Sequence, residues 1–244
     1  MSWPQHTFIV IPAYKAAAQL EKLLPDVLDY VPGNSIMVVD DASHDETPAI
    51  CRRHAVGYAA HQVNKGKGAA LATGFSRIMA REKHARWIIT MDADGQHAPS
   101  DLEHFINAAE QGTADGICIG ARLMKPGIMP PERILSNRLT SCILGLFCGT
   151  SIKDSQCGYR IYSTALLKRI TIDYHRFEME SEVIMKAAFL GFPVTFIPIQ
   201  TLYLEGPSHI AHAADTLRWI FAVLRIRMQR RRILHNGTST EQVH

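Results

Sequence analysis

Two aspartates, Asp92 and Asp94, close the apolar run Ile88-Ile89-Thr90-Met91 and are followed by Gly95, Gln96 and His97. Such a run predicts a buried strand. Residues two apart on an extended chain project to the same side, so both carboxylates can converge at the strand's C-terminal edge. Adjacent carboxylates repel each other and are costly to desolvate. A hard divalent cation relieves both costs, and magnesium keeps positions free for substrate phosphates. The plainer alternative is a strand followed by an Asp-Gly turn.

The elements that must position this pair favour the chemical reading. Strand-like runs at 8–11, 36–39, 87–91 and 116–120 alternate with helical patterns at 16–28, 45–54, 66–80 and 99–111. Ser43 or Asp45 can cap the second helix. Alternation of this length predicts a parallel sheet built from βαβ units, in which ligands bind beyond the carboxyl ends of the strands. Pro12, Ala13, Tyr14, Asp40, Asp41, Asp92, Ala93 and Asp94 all fall at those ends. The second half is less regular, with a Pro/Gly-containing connection at 125–131, helices at 132–147 and 177–190, and a strand at 194–198.

Bulk properties narrow the class. The chain has 244 residues, 47% hydrophobic and 20% charged, with a formal net charge of +3. That length suits one large α/β domain. The N-terminus lacks a basic segment followed by an apolar core, so no signal peptide is expected. No apolar run approaches the roughly 20 residues of a membrane-spanning helix. The cysteines Cys51, Cys118, Cys142, Cys148 and Cys157 form no C-x-x-C pair, which suggests reduced structural thiols.

Taken together, the motifs resemble family 2 glycosyltransferases, and among them the dolichyl-phosphate mannosyltransferase-like, or polyprenyl-phosphate glycosyltransferase, group. The stretches that carry the resemblance are Ile11-Pro12-Ala13-Tyr14, Val38-Val39-Asp40-Asp41 with the Ala-Ser-His-Asp-Glu-Thr after it, Asn64-Lys65-Gly66-Lys67-Gly68, and Met91 to His97. Gly120-Ala121-Arg122, Ser136-Asn137-Arg138, Asp154 to Arg160, Phe177 to Glu182 and Gly206-Pro207-Ser208-His209 follow in family order. The resemblance implies an α/β GT-A fold in a single domain. Its Rossmann-like nucleotide-binding half would have a mostly parallel central sheet with helices on both faces. It also implies a nucleotide-sugar donor (GDP- or UDP-sugar), Mg2+ or Mn2+, and inversion at the anomeric carbon. The GT-A domain is expected over 1–210, divided into a donor half at 1–124 and an acceptor half at 125–210.

The same resemblance assigns roles. Pro12, Ala13 and Tyr14 would hold the nucleoside, with Asp40 or Asp41 accepting from base or ribose; a turn and capping role is the alternative for the aspartates. The family usually reads Pro-x-Tyr-Asn-Glu, whereas Lys15 and Ala16 stand here. Gly66 and Lys67 would form a tight turn opening a helix toward the nucleotide; a purely structural turn is the alternative. Asp92, Asp94 and Gln96 match the metal triplet. Arg122, Arg138 and Arg160 match phosphate-handling positions, which suits the arginine fork. Asp154 is the candidate general base or acceptor orienter. Glu180 and Glu182 correspond to an acidic pair, while an ordinary solvated helix face is the alternative.

The last recognisable element, at 211–235, is a basic amphipathic helix. Leu217, Ile220, Phe221, Leu224 and Met228 form one stripe, and Arg225, Arg227, Arg230, Arg231 and Arg232 crowd its end. The stripe suits either the protein's own core or a membrane, and the arginines suit an anionic lipid surface; no stacking motif points to nucleic acid. A disordered tail is expected at 236–244. The expected enzyme is peripheral, at the cytoplasmic face of a membrane, moving sugar to a polyprenyl phosphate or related lipid. Transfer to a hydroxyl of a glycolipid or polysaccharide precursor in cell-envelope assembly, or non-catalytic nucleotide-sugar binding, are the competing readings. Oligomeric state is not legible.

Overall fold

The structure is a computed structural model describing residues 3–200, 202 and 212–239. Gly206-Pro207-Ser208-His209 and residues 240–244 lie outside the described residues. The first half alternates as expected: β1 (Thr7–Ala13), α1 (Ala17–Leu28), β2 (Ile36–Asp40), α2 (Thr47–Arg53), β3 (Gly57–Ala60), α3 (Lys67–Arg81), β4 (Trp87–Thr90), α4 (Leu102–Glu110) and β5 (Ile117–Ala121). Then come α5 (Pro131–Cys148), β6 (Arg160–Ser163), α6 (Thr164–Arg169), α7 (Glu178–Phe189), β7 (Val194–Pro198), α8 (His212–Met228) and α9 (Arg230–Ser239).

These strands form one seven-stranded sheet in the order β3-β2-β1-β4-β6-β5-β7. Every pairing is parallel except those of β6, which runs antiparallel to β4 and β5. β1, β2 and β4 are apolar along most of their length because helices cover both faces; Ile9, Val10, Ile11, Ile88 and Ile89 have no exposed surface. Residues β3, β6 and α6 were not expected as elements. β3 is a four-residue edge strand with little β-branched content, and β6 is equally short. The short α6 begins at a Ser163 cap that accepts from the Leu166 amide at 3.1 Å.

The antiparallel insertion decides where the site forms. Thr90, the last residue of β4, pairs with Arg160, the first of β6. The segment entering β6 therefore arrives at the edge where β1, β2 and β4 end.

One helix decides between two readings, and another differs from expectation. α7 is buried along nearly its whole length, including Glu178, Glu180, Glu182 and Lys186, so its acidic residues are not a solvated face. The basic segment is not one helix but two, α8 and α9, separated at Gln229, and helix continues to Ser239 rather than stopping near 235. On α8 the Leu217, Ile220, Phe221, Leu224 and Met228 stripe faces outward, each residue 39–78% exposed. The opposite residues Ala222, Val223 and Ile226 are buried, and Trp219 donates to Ser181 of α7 at 2.8 Å.

Candidate active site

Beyond β4 the chain turns through Asp92–Gly95. Asp94 is exposed and accepts from the Gln96 amide at 3.0 Å, with Gly95 in a left-handed conformation, φ 75°. The Asp92 amide donates to His97 Nδ1 at 3.1 Å. His97 is buried and stacks on Tyr159, centroids 4.8 Å apart. Burial lowers its pKa against the pull of Asp92 and Asp94. A cavity of about 370 Å³ opens at Asp94, Gly95 and His97 and reaches Ala18 and Lys22 of α1.

Asp92 is not a bare carboxylate. The Lys67 ammonium lies 2.7 Å from its Oδ1 and 2.8 Å from Glu180 Oε1. Burial alone would raise the Asp92 pKa, but Lys67, His97 and Arg160 hold it below the usual carboxylate value. Burial would likewise lower that of Lys67, yet Asp92 and Glu180 raise it well above the ordinary lysine value. The cation that the two aspartates called for is thus supplied partly by the protein. Among the described residues no group of three or more His, Cys, Asp or Glu side chains could hold a metal. Gln96 is placed beside Asp94 through its backbone, and the expected triplet is split between Lys67 and the open crevice.

Backbone contacts place Lys67. Gly66 has φ 100°, and a Cβ on it would lie 2.6 Å from the His175 carbonyl oxygen. The Ala69 amide donates to that same oxygen at 2.9 Å. On the other side Asp41 accepts from the Lys65 and Gly66 amides at 2.9 and 2.6 Å and contacts His61 at 2.6 Å. Asp40 accepts from the Ser43 amide at 2.9 Å and the Tyr58 hydroxyl at 3.0 Å. Asp40 and Asp41 are both buried and anchor the loops that follow β2 and precede α3. At the same edge Tyr14 is 48% exposed, while Pro12 and Ala13 lie largely or wholly within the fold. Lys15, Ala42 and His44, all non-glycine, have φ of 52°, 66° and 56°. Such conformations are costly and gather at functional sites.

The arginines do three different things. Arg122 forks Asp154, Nε to Oδ2 at 2.8 Å and Nη2 to Oδ1 at 3.0 Å, and stays 19% exposed. Arg138 is exposed on α5. Arg160 has no exposed surface and donates to the Cys157, Glu180 and Ser155 carbonyls at 2.6, 2.9 and 2.9 Å, and to Glu180 Oε2 at 3.1 Å. These contacts brace Glu180 beside Lys67.

Asp154 is equally occupied. It is buried and also accepts from Asn137 Nδ2 at 2.6 Å and from the Gln156 and Cys157 amides at 3.1 and 3.0 Å. Burial pushes its pKa up, but Arg122 and Asn137 outweigh it and hold it below the usual value. A carboxylate so held is a poor proton acceptor. Asn137 was passed over in favour of its neighbour Arg138, and Gly158 was missed outright. A Cβ at Gly158 would lie 2.5 Å from Asp92 Oδ2 and 2.8 Å from Lys67 Nζ. The Gly-Tyr-Arg motif marked that glycine, but nothing in it pointed to Asp92.

Comparison with known proteins agrees with this geometry. The family model for glycosyl transferase family 2 matches residues 8–171. The chain belongs to that family. This glycosyltransferase is similar to polyprenol monophosphomannose synthase of Mycolicibacterium smegmatis, 30% identical over 207 residues, covering 80% of this chain and 77% of that protein. It is 29% identical over 220 residues to UDP-N-acetylglucosamine--dolichyl-phosphate N-acetylglucosaminyltransferase of Methanococcus voltae, covering 81% and 86%. Glucosyl-3-phosphoglycerate synthase from Mycobacterium tuberculosis, crystallised with Mn2+, UDP and glucosyl-3-phosphoglycerate, superposes with a TM-score of 0.72 at 15% identity over 90% of this chain and 79% of that one. That likeness establishes the GT-A fold of the sheet described above.

Proposed function

We propose that the enzyme transfers a sugar, with inversion, from a nucleotide-sugar donor to a polyprenyl phosphate or related lipid phosphate. The observation that carries the choice of acceptor is the state of Asp154. A hydroxyl acceptor needs a base to take its proton, and the carboxylate expected to serve is buried, forked by Arg122 and held ionised. A phosphate monoester is largely ionised near neutral pH and attacks without one. Its oxygen forms the new bond to the anomeric carbon as the nucleoside diphosphate departs from the opposite face. The two relatives named above are, by name, enzymes of polyprenol and dolichyl phosphate, which supports the same acceptor class.

The donor occupies the carboxyl edge of β1, β2 and β4, with Tyr14 beside the base and the Gly66-Lys67 turn toward the diphosphate. The residues present fit Mg2+ or Mn2+. Asp94 offers an exposed carboxylate, Gln96 an amide oxygen, and the donor's diphosphate the remaining hard ligands. When bound, the ion neutralises charge on the departing diphosphate. Lys67 holds Asp92 and Glu180 in place, and Arg122 and Arg138 face the acceptor phosphate. The outward apolar stripe of α8 and its arginines support our reading that the enzyme works on an anionic membrane, at the cytoplasmic face.

The deciding experiment offers the enzyme, with labelled GDP- and UDP-sugars, a short polyprenyl phosphate and the matching polyprenol. Transfer to the phosphate alone is expected. Equal use of the alcohol would overturn the acceptor assignment.

A further inference from the structure

A second cavity, of about 360 Å³, shares no residue with the Asp92 crevice. It lies between the segment after α6 and the α8–α9 break, lined by Arg169, Thr171, Asp173, Tyr174, Lys186, Arg225, Gln229 and Arg232 among others. Its walls come from separate parts of the chain. Arg169 ends α6, Lys186 belongs to α7, Arg225 to α8 and Arg232 to α9. Four cationic side chains line it against one carboxylate, that of Asp173. Lys186 is partly spoken for: its ammonium lies 2.7 Å from Asp173 and 2.7 Å from the buried Glu182, and it donates to the Thr171 carbonyl at 2.6 Å. Counting Glu182 behind the wall, the cationic charge still exceeds the anionic by two.

The C-terminal arginines are also sorted by where they point. Arg225, Gln229 and Arg232 follow one another at i, i+4 and i+7, a single helical face carried across the break, and this face looks into the cavity. Arg230 instead lies over the Phe189 ring, 5.4 Å from its centroid. Arg227 and Arg231 are exposed and line neither cavity. The arginine cluster is thus divided: Arg225 and Arg232 line the open cavity, Arg230 packs on a ring, and Arg227 and Arg231 line neither.

We infer that this cavity is a second anion site, one that binds a phosphate group through Arg225 and Arg232. Guanidinium forks match phosphate oxygens bidentately. The cavity is also within the size range of small-molecule sites. Tyr174 and Gln229 add polar groups at the wall. The phosphate could be carried by a lipid headgroup or be free in solution. Leu224, Met228 and Leu234, 46%, 78% and 38% exposed, stand on the same two helices, which would suit acyl chains beside a headgroup.

The test compares two doubly substituted full-length proteins of equal charge. One is Arg225→Gln with Arg232→Gln; the other is Arg227→Gln with Arg231→Gln. The probes are inorganic phosphate and dihexanoyl phosphatidic acid below its micelle concentration, titrated calorimetrically with the donor site saturated by nucleoside diphosphate. Loss of two charge-assisted contacts should weaken binding by roughly tenfold or more in the first protein, with little change in the second. Tighter binding of the lipid identifies a headgroup site, and equal binding of both probes a free-phosphate site. Equal loss in both proteins would mean diffuse charge and overturn the inference, as would the absence of binding by either probe. Transfer to a short polyprenyl phosphate reads the catalytic crevice and should be unchanged in both, so failure of the acceptor assignment is a separate result.

Discussion

Replacing Lys67 by Met removes one cation from between two carboxylates, and the cost can be worked from the structure. The ammonium sits 2.7 Å from Asp92 and 2.8 Å from Glu180, and the three side chains are 20%, 24% and 8% exposed. Removing one partner of a buried ion pair costs about 3–5 kcal/mol, because a charge is left uncompensated. Two carboxylates are stranded here, which argues for the upper end. Against that, water reaches Asp92, and Glu180 keeps the Arg160 guanidinium at 3.1 Å. The balance is a loss of about 3 kcal/mol, or a fall of roughly 6–12 °C in Tm for a chain of this size. Urea unfolding of the metal-free protein in EDTA measures it directly. Glu180→Gln in the Lys67→Met background should return part of the loss, since neighbouring groups couple by about 0.5–3 kcal/mol. Added Mg2+ should stabilise Lys67→Met more than the parent, because Asp92 is then open to it and binding to the folded state alone raises stability. A loss under about 1 kcal/mol would refute the reasoning, since it is the value of a solvated surface pair.

Other expectations follow from neighbouring contacts. Gly158→Ala should cut transfer by roughly a hundredfold or more, since its Cβ would lie 2.5 Å from Asp92 Oδ2 and small misplacements at a reacting centre are costly; near-parental kcat would show that Asp92 can move aside. Asp154 has a folded-state pKa below its ordinary value of 3.8, so its stabilising contribution is complete above that value and is lost as pH falls through the depressed one. Asp154→Asn should accordingly be less stable than the parent at neutral pH, with the gap closing in acid, as read from urea midpoints. On α8, Phe221→Ser with Leu224→Ser should weaken co-sedimentation with anionic vesicles and remove the part that resists high salt, leaving the arginine-dependent part; unchanged salt-resistant binding would place the membrane contact elsewhere.

How far the sequence went is clearest at the two ends of the Lys67 bridge. Asp92 and Asp94 were legible because strand periodicity and strand ends are local, and both do stand at the carboxyl edge of β4. The need for a countercharge was legible too, but not its source. Lys67 and Glu180 are 113 positions apart in the chain and meet only because β6 enters antiparallel beside β4. β6 has four residues, too few for a period to show. For the same reason the sequence leaves Glu180 and Glu182 open between an acidic pair and a solvated helix face. Charges at helical spacing look alike whether water or a distant residue compensates them, and the contacts of Glu180 with Lys67 and Arg160 and of Glu178 with Arg218 reveal which.

The α8 helix shows a different limit. Its apolar stripe was legible, but its direction was not, because the helix carries two such stripes. Trp219, Ala222, Val223 and Ile226 also recur at i, i+3, i+4 and i+7, and this smaller set is the one that packs on the protein. This face packs on α7, where Trp219 reaches its hydrogen bond with Ser181. The larger residues are left outside, from Leu217 at 57% exposed to Met228 at 78%. A soluble helix gains nothing by presenting five large apolar side chains to water along three turns. At about 25 cal/mol per Å² of apolar surface, their removal from water is a driving force that the fold itself leaves unused. The arginines at the same end give that force a direction, since they lower the energy of the helix only where the apolar phase carries negative charge.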